Sequence, residues 1–273
     1  MSGITLSAGV RANLLQLQQT SDLITSTQTK LATGKRVNSA LDNAINFFTA
    51  QGLDTRANNL NNLLDSMSNG VNTIQAANNG ITSITKLVQS AQALVSQAQQ
   101  ANNTTTQANL ATQFNSLLTQ IGQLASDAGF NGVNLLAGNT LTVTLNETAT
   151  STVSVTGVNY TNANSSPLSI ANAANNWAGA SDITAASTAL STALTTLQSE
   201  SQTLSSSLST VQIRQDFTKA TISTLQTGSA DLTLADSNAE GANLLALQTR
   251  QQLSSTALSL ASQADQNVLR LFR

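Results

Sequence analysis

The side chains that most often carry catalysis and metal binding are scarce in this chain. Its 273 residues include no His and no Cys, and only three of its 13 carboxylates belong to Glu. Without His or Cys, the usual nucleophile–base triads and the commonest zinc ligands are excluded. We therefore expect no catalytic residues, no metal site and no cofactor.

The remaining charged residues form no pattern that is typical of ligand binding. Gly34-Lys35 lacks the upstream glycine of a phosphate-binding loop. The 11 Lys and Arg residues are scattered without interleaved aromatic side chains, which disfavours single-stranded nucleic acid as a partner. Asp231 and Asp236 are predicted to lie near a helix start and to act as caps, because the helix dipole favours acidic residues there.

Low charge is the main feature of the composition. Charged residues make up only 9% of the chain, against about 25% in an average globular protein. Asn, Gln, Ser and Thr supply the polar surface instead, and such surfaces can meet copies of themselves without desolvating ions. The net charge of −2 gives no electrostatic footprint for nucleic acid or for an anionic membrane.

The sequence also lacks the patterns of targeting and membrane-spanning segments. Its first residues contain no basic stretch followed by an apolar core, so we expect no cleavable secretory signal. No apolar run approaches the ~20 residues that span a bilayer.

Hydrophobic periodicity predicts a mainly α-helical protein, a long antiparallel helical bundle or coiled coil with a small β-hairpin in the middle of the chain. Apolar residues spaced by sevens in the second helix, such as Met67 and Ile74, predict left-handed supercoiling. Alternation of Val and Leu with polar residues between Leu141 and Val155 predicts the hairpin. The five predicted helices run from about Leu6 to Ala32, from Ala44 to Gln100, through Leu110 to Ala128, from Ile183 to Thr227, and on to Arg273.

Breaks in periodicity set the predicted ends of these helices. Gly34 and Gly228 are predicted to end the first and the fourth helix, because glycine disfavours helix interiors and is common at helix ends. Ser201, Gln215 and Thr218 interrupt the apolar stripe of the fourth helix. We expect such polar residues to set the register of packed helices rather than their stability.

Both ends of the chain carry apolar stripes that extend almost to the tips. Chain ends normally fray because few contacts hold them, so a helix that stays apolar to its end needs a cover. Head-to-tail contacts between copies generate open helical assemblies, and we predict that copies of this chain cover the stripes. The alternative is a two-helix hairpin packed on the middle bundle. The predicted self-assembly residues are Val10, Leu14, Leu17, Ile24, Leu31, Leu253, Ala257, Leu260, Ala264, Val268 and Leu271.

Three motifs resemble the bacterial flagellins. The segment Leu31-Ala32-Thr33-Gly34-Lys35-Arg36-Val37-Asn38-Ser39-Ala40-Leu41-Asp42-Asn43-Ala44 resembles their N-terminal signature. Phe130-Asn131-Gly132-Val133 is similar to the turn that follows their third helix, and the run from Gln263 to Arg273 is similar to their C-terminus. The resemblance covers about Leu6 to Leu136 and Ile183 to Arg273.

This resemblance implies a structural subunit of the helical flagellar filament used for swimming. The implied partners are other subunits, the flagellar type III export apparatus, an export chaperone, and the cap and hook-junction proteins, with neither nucleic acid nor membrane among them. The implied location is outside the cell, in the flagellum. We expect an inner-tube domain from residues 1–43 and 235–273, an outer-tube bundle from 44–137 and 183–234, and a surface element at 138–182.

The resemblance also assigns roles to the conserved-type loops. Gly34, Lys35, Arg36 and Asp42 correspond to the connection between the inner and outer tubes, and the three charged residues either bridge subunits, hold that connection or are solvated loop charges. Phe130, Asn131 and Gly132 form the family's turn. Three other functions stay open from the sequence: a hook–filament junction protein, a type III-exported adhesin or effector, and an aggregation-prone Asn/Gln-rich segment.

Overall fold

A computed structural model describes residues 8–271, apart from the side chains of Asp265 and of residues 268–271. Five long helices and one antiparallel hairpin confirm the predicted mainly α fold with a small β element. The predicted stripe residues Val268 and Leu271 lie outside the described side chains, and the predicted start at Leu6 lies outside the described range. The helices are α1 (Ala8–Thr33), α2 (Ala44–Gln100), α3 (Thr104–Asp127), α4 (Ala180–Thr233) and α5 (Ser237–Leu271).

The described chain divides into two compact units. Unit 1 contains the described residues up to Arg56 and those from Thr224 onward, and unit 2 is Ala57–Ser223. The boundaries between the units therefore fall inside α2 and inside α4. Over the residues that the structure describes, no helix combines the length and the apolar character needed to cross a membrane.

The core of unit 2 is built from the seven-residue repeats that the sequence displays. Because a residue and the one seven positions later lie on the same helix face, each repeat gives a continuous apolar seam. The α4 helix begins at Ala180, three residues before the predicted start at Ile183. The buried seam residues are Met67, Ile74, Ile81, Val88 and Val95 on α2, and Leu190, Leu197, Leu204 and Val211 on α4.

The hairpin of unit 2 consists of β1 (Thr140–Thr144) and β2 (Thr152–Thr156), with Val143 opposite Val153. One face of the hairpin is buried through Val143 and Val155. A Cβ at Gly70 of α2 would lie 2.5 Å from a Val143 methyl carbon. The absence of a side chain at Gly70 is therefore what lets the hairpin rest on α2.

The predicted break at Gly228 is wrong, because α4 continues through it to Thr233. Glycine in a helix interior costs about 1 kcal/mol relative to alanine. Burial on one face offsets this cost, since Leu225, Ser229 and Thr233 are all buried. A Cβ at Gly228 would also sit at 3.4 Å from Leu53 Cδ1, so the helix packs closely here.

Candidate functional site

The two terminal helices, α1 and α5, contact each other within unit 1. On α1, Val10, Ile24 and two threonines are buried and Leu17 is half-buried. From Gly241 onward, the half-buried residues of α5 recur at steps of three and four, as expected for the face that meets a neighbouring helix. From the start of the helix they are Glu240, Gly241, Leu244, Leu247, Gln251, Ser254, Leu258 and Ala261.

This inner seam is only weakly apolar. Thr20 and Thr27 are buried on α1, and the Thr20 hydroxyl donates to the Gln16 carbonyl within its own helix, at 2.8 Å. At one end of the pair, Lys30 Nζ lies 3.9 Å from a Glu240 carboxylate oxygen. Such a partly exposed ion pair contributes about 0–1 kcal/mol, so α1 and α5 hold each other loosely.

The four predicted self-assembly residues of α5 whose side chains are described lie outside this seam. Leu253 is 67% exposed and Leu260 is 61% exposed. Ala257 and Ala264 are exposed as well. The α5 helix therefore has two stripes, one covered by α1 and one left open to solvent. The inner stripe is missing from the sequence-based prediction because Gln251 and Ser254 interrupt it.

Some of the predicted self-assembly residues of α1 lie in the seam with α5, and others are exposed to solvent. Val10 and Ile24 are buried and Leu17 is half-buried, whereas Leu14 and Leu31 are exposed. Monomeric proteins rarely expose long contiguous apolar surfaces, and larger ones mark interaction sites. Three further leucines of the terminal helices are exposed: Leu15, Leu23 and Leu245.

Besides the exposed stripes of α1 and α5, unit 1 has another apolar surface, which was not identified from the sequence. Leu41 is 98% exposed, and Ile45 and Phe48 follow it on the first turns of α2, both exposed. The spacing of three residues puts Ile45 and Phe48 toward one side of the helix start, and Leu41 lies in the turn that precedes it. The sequence did not predict this surface because three apolar residues in and beside a loop are too few to show helical periodicity. Their spacing at positions i, i+4 and i+7 was the one feature that could have indicated it.

The connection between α1 and α2 is tied to the connection between α4 and α5. Gly34 adopts φ +66°, in the left-handed region that glycine tolerates. The Arg36 amide donates to the Thr233 carbonyl at 2.7 Å, and the Ala235 amide donates to the Gly34 carbonyl at 2.9 Å. Lys35 takes part through its backbone, which forms an isolated antiparallel bridge with Leu234.

Arg36 and Asp42 both act within the chain at this connection. A guanidinium nitrogen of Arg36 donates to the Asp231 carbonyl at 3.1 Å. Asp42 Oδ2 accepts from the amides of Asn38 and Ser39, each at 2.9 Å, and from the Ser39 hydroxyl at 3.2 Å. These hydrogen bonds, those from the two amides first, lower the pKa of Asp42 below its ordinary value.

Asp42→Asn is expected to loosen this loop. The lowered pKa means that the contribution of Asp42 is present above its unfolded pKa and is lost as pH falls through the folded value. After correction for intrinsic exchange rates, the protection of the Asn38 and Ser39 amides should therefore be lower in the variant than in the parent at pH 7, and should fall in the parent at acid pH. Equal exchange in both proteins at pH 7, after correction for intrinsic rates, would contradict this role.

Of the two acidic caps predicted from the sequence, one is present in the structure and the other is not. Asp236 caps α5, because its carboxylate accepts from the amides of Asn238 at 2.9 Å and Ala239 at 3.2 Å. The prediction is confirmed for Asp236. It is wrong for Asp231, which lies in the last turn of α4, where the continued helix leaves no start to cap.

The predicted turn at Phe130, Asn131 and Gly132 lies in unit 2. Phe130 and Val133 exchange backbone hydrogen bonds of 2.9 and 3.0 Å around Asn131 and Gly132, which both have positive φ. The Asn134 side chain then donates to the carbonyls of Ala125 and Ser126 at the end of α3. The turn thus closes the helix and directs the chain toward the hairpin.

Burial perturbs two ionisable side chains of unit 2, Tyr160 and Glu200. Burial raises the pKa of the Tyr160 hydroxyl, with a smaller contribution from the nearby Glu200 charge, and burial also raises the pKa of Glu200. The described residues contain no group of three or more acidic side chains placed to hold a metal ion.

Glu200→Gln is expected to stabilise unit 2 at neutral pH. A raised pKa means that Glu200 favours the folded state below its unfolded pKa, and that this contribution is lost as pH rises through the folded value. The thermal midpoint of the variant should exceed that of the parent at pH 7, and the difference should vanish near pH 3. A lower midpoint at pH 7 would show that the carboxylate makes a stabilising contact.

Comparison with known proteins agrees with this architecture. Family models for the bacterial flagellin N-terminal helical region and C-terminal helical region match residues 8–140 and 180–272. Flagellin FljK of Caulobacter vibrioides is 33% identical over 282 aligned positions, covering 100% of this chain and 99% of that protein. Flagellin FljM of the same organism is 32% identical, with the same coverage. A flagellin of Brucella melitensis is 39% identical over 36% of each chain.

These matches do not favour the junction-protein or adhesin alternatives, because relatives that span the whole chain are flagellins. The helical regions at both ends carry the family's pattern, and the short hairpin segment lies between them. The chain belongs to the bacterial flagellin family and is a structural subunit of the flagellar filament.

Proposed function

We propose that copies of this subunit assemble through the exposed stripes of α1 and α5. The observation that carries the proposal is the second stripe of α5, with Leu253 and Leu260 facing away from the seam with α1. Each leucine side chain that moves from water into a packed interface contributes about 1.5–3 kcal/mol. Several such residues per subunit suffice to drive polymerisation at micromolar concentration.

The polar composition of the same helices supports close approach between copies. Described residues of α5 between Gly241 and Ala264 include one charged side chain, Arg250, among amides, hydroxyls and alanines. Neutral polar side chains lose less hydration free energy on burial than ions do. Ala257, Ala261 and Ala264 leave space for a neighbouring helix at short distance.

The roles that we propose for the three parts of the subunit follow the domain boundaries expected from the sequence. Residues 1–43 and 235–273 line the inner tube of the filament, residues 44–137 and 183–234 form the outer tube, and residues 138–182 lie on the outer surface. Gly34, Lys35, Arg36 and Asp42 hold the connection between the tubes. In support, Arg36 and Asp42 bond to backbone groups of the two connections.

The proposed partners other than copies of the chain follow from family membership. The subunit passes through the flagellar type III export apparatus, with an export chaperone, and joins a filament bounded by hook-junction and cap proteins outside the cell. Its role is mechanical transmission rather than catalysis. The absence of His and Cys from the sequence supports a role without the commonest catalytic groups.

Removal of the terminal helices tests the proposed function. A variant lacking residues 1–33 and 237–273 should keep the helical circular dichroism of unit 2 and form no filaments by electron microscopy at concentrations where the full chain does. The full chain should polymerise without a seed. Filament formation by the truncated variant would contradict assembly through these helices.

A further inference from the structure

In unit 2, the apolar residues of the seam between α2 and α4 do not by themselves fix how the two helices align along their length. Both helices present buried residues every seven positions, as from Ile74 to Ile81 and from Leu197 to Leu204. At these positions, sliding one helix by seven residues, about 10 Å, again places a large aliphatic side chain against a large aliphatic partner. Hydrophobic contact is non-directional, so this seam alone scarcely distinguishes the native register from its neighbours.

Chain connectivity does not forbid such a shift. Residues 128–179 join α3 to α4 and contain only two short strands and one 3-10 turn as regular elements. A connection of this length can absorb a displacement of about 10 Å, since each extended residue spans about 3.3 Å. The length of the connection therefore leaves the register open, and the neighbouring registers are opposed by contacts within the seam together with the buried residues of the connection, such as Tyr160 and Trp177.

Three side-chain hydrogen bonds that join α2 and α4 lie in unit 2, and the longest runs from Gln92 Nε2 to the Ser191 hydroxyl at 3.5 Å. The other two are shorter. The Ser201 hydroxyl donates to Asn78 Oδ1 at 2.8 Å, and Gln215 Nε2 donates to the Ser68 hydroxyl at 3.1 Å. Asn78, Ser201 and Gln215 are half-buried. From the Asn78–Ser201 pair to the Ser68–Gln215 pair, the residue number falls on α2, from 78 to 68, and rises on α4, from 201 to 215. This is the order that antiparallel helices require.

A shift of one repeat breaks both pairs. Moving α4 by seven residues in either direction brings Leu194 or Leu208 opposite Asn78 in place of Ser201. The same shifts bring Leu208 or Ile222 opposite Ser68. A half-buried amide that faces leucine loses its hydrogen bond and part of its hydration, which disfavours the shifted register.

We propose that the Asn78–Ser201 and Ser68–Gln215 pairs select the register of α2 and α4 and contribute little to stability. Single polar residues in helical seams fix register in this way in coiled coils, at some cost in stability. The inference goes beyond filament assembly, because it concerns how one subunit reaches a single fold.

The test measures register directly in the monomeric chain. Because the sequence has no Cys, spin labels can be attached at Gln97→Cys on α2 and Ser205→Cys on α4, both exposed in the parent. These sites are offset by about 30 Å along the seam, and a one-repeat shift changes the offset to about 20 or 40 Å. Pulsed electron paramagnetic resonance resolves these distances.

Three forms of the labelled chain are compared. The parent should give one distance, and Asn78→Leu/Ser201→Ala/Gln215→Leu, which removes both amides and the Ser201 hydroxyl from the seam, should add a second distance with no loss of thermal midpoint. The exchanged pair Asn78→Ser/Ser201→Asn keeps a donor and an acceptor and should restore the single distance.

Two results would overturn the inference. One is an unchanged single distance in the apolar variant. The other is a lower midpoint or lost helicity in that variant, which would make the pairs stabilising contacts. Polymerisation plays no part in this readout, so failure here leaves assembly through the terminal helices untouched, and failure of that assembly leaves this inference standing.

Discussion

Leu253→Gln/Leu260→Gln is expected to raise the critical concentration for polymerisation about 100-fold. Both leucines lie on the open stripe of α5, so the change removes apolar area from the proposed contact between copies without touching the seam with α1. Gln preserves helix propensity and approximate length. The measurement is the concentration of unassembled protein that remains in equilibrium with filaments.

Two controls separate assembly from folding in this experiment. Leu253→Met/Leu260→Met keeps the stripe apolar and should polymerise like the parent, because volume-conserving apolar exchanges are well tolerated. Leu244→Gln/Leu258→Gln changes the inner stripe and should speed hydrogen exchange of α1 and α5 in the monomer. An unaltered critical concentration for the outer-stripe Gln variant would refute the role of that stripe.

Gly157→Ala is expected to destabilise unit 2 by about 3 kcal/mol, at the upper end of the range for overpacking. A Cβ at this position would lie 2.5 Å from the Leu135 carbonyl oxygen and would also overlap the Asn139 carbonyl. Both obstacles are backbone atoms, and the Gly157 amide itself bonds to the Asn139 carbonyl at 3.0 Å. The hairpin must therefore move away from the 135–139 segment.

The thermal midpoint of the Gly157→Ala variant should fall by about 6–12 °C. The matched control is Gly52→Ala, inside α2, where no atom lies within 4 Å of the added Cβ. That change should stabilise its helix by up to about 1 kcal/mol, because alanine is the stronger helix former. Equal midpoints for Gly157→Ala and the parent would show that the hairpin is not held as closely as described.

Periodicity predicted the helices well where burial follows the heptad. The bounds predicted for α2, Ala44 to Gln100, match the structure because its seam residues repeat without interruption. The end of α4 was missed because the glycine rule describes an isolated helix, whereas close packing at Leu53 and burial of Ser229 and Thr233 carry the helix past Gly228.

The candidate site was predicted less completely than the fold. Sequence periodicity identifies apolar stripes, but it does not say which of two stripes meets a partner in the same chain. The predicted α1 residues mix both environments for this reason, with Ile24 buried and Leu14 exposed. Loop contacts such as the Asp42 hydrogen bonds were not predicted because they depend on local backbone geometry. The exposed patch at Leu41 was not predicted because its exposure depends on the packing of the rest of the chain.

Loss of thiol reactivity on assembly tests the central claim most directly. Ala257→Cys places a small thiol on the open stripe of α5, and Thr148→Cys places one near the hairpin tip, both at exposed positions of a chain with no other cysteine. Both thiols should react with maleimide in the monomer. In filaments, the Ala257→Cys thiol should become unreactive while the Thr148→Cys thiol stays reactive. Equal reactivity at Ala257→Cys in monomer and filament would contradict assembly through this stripe.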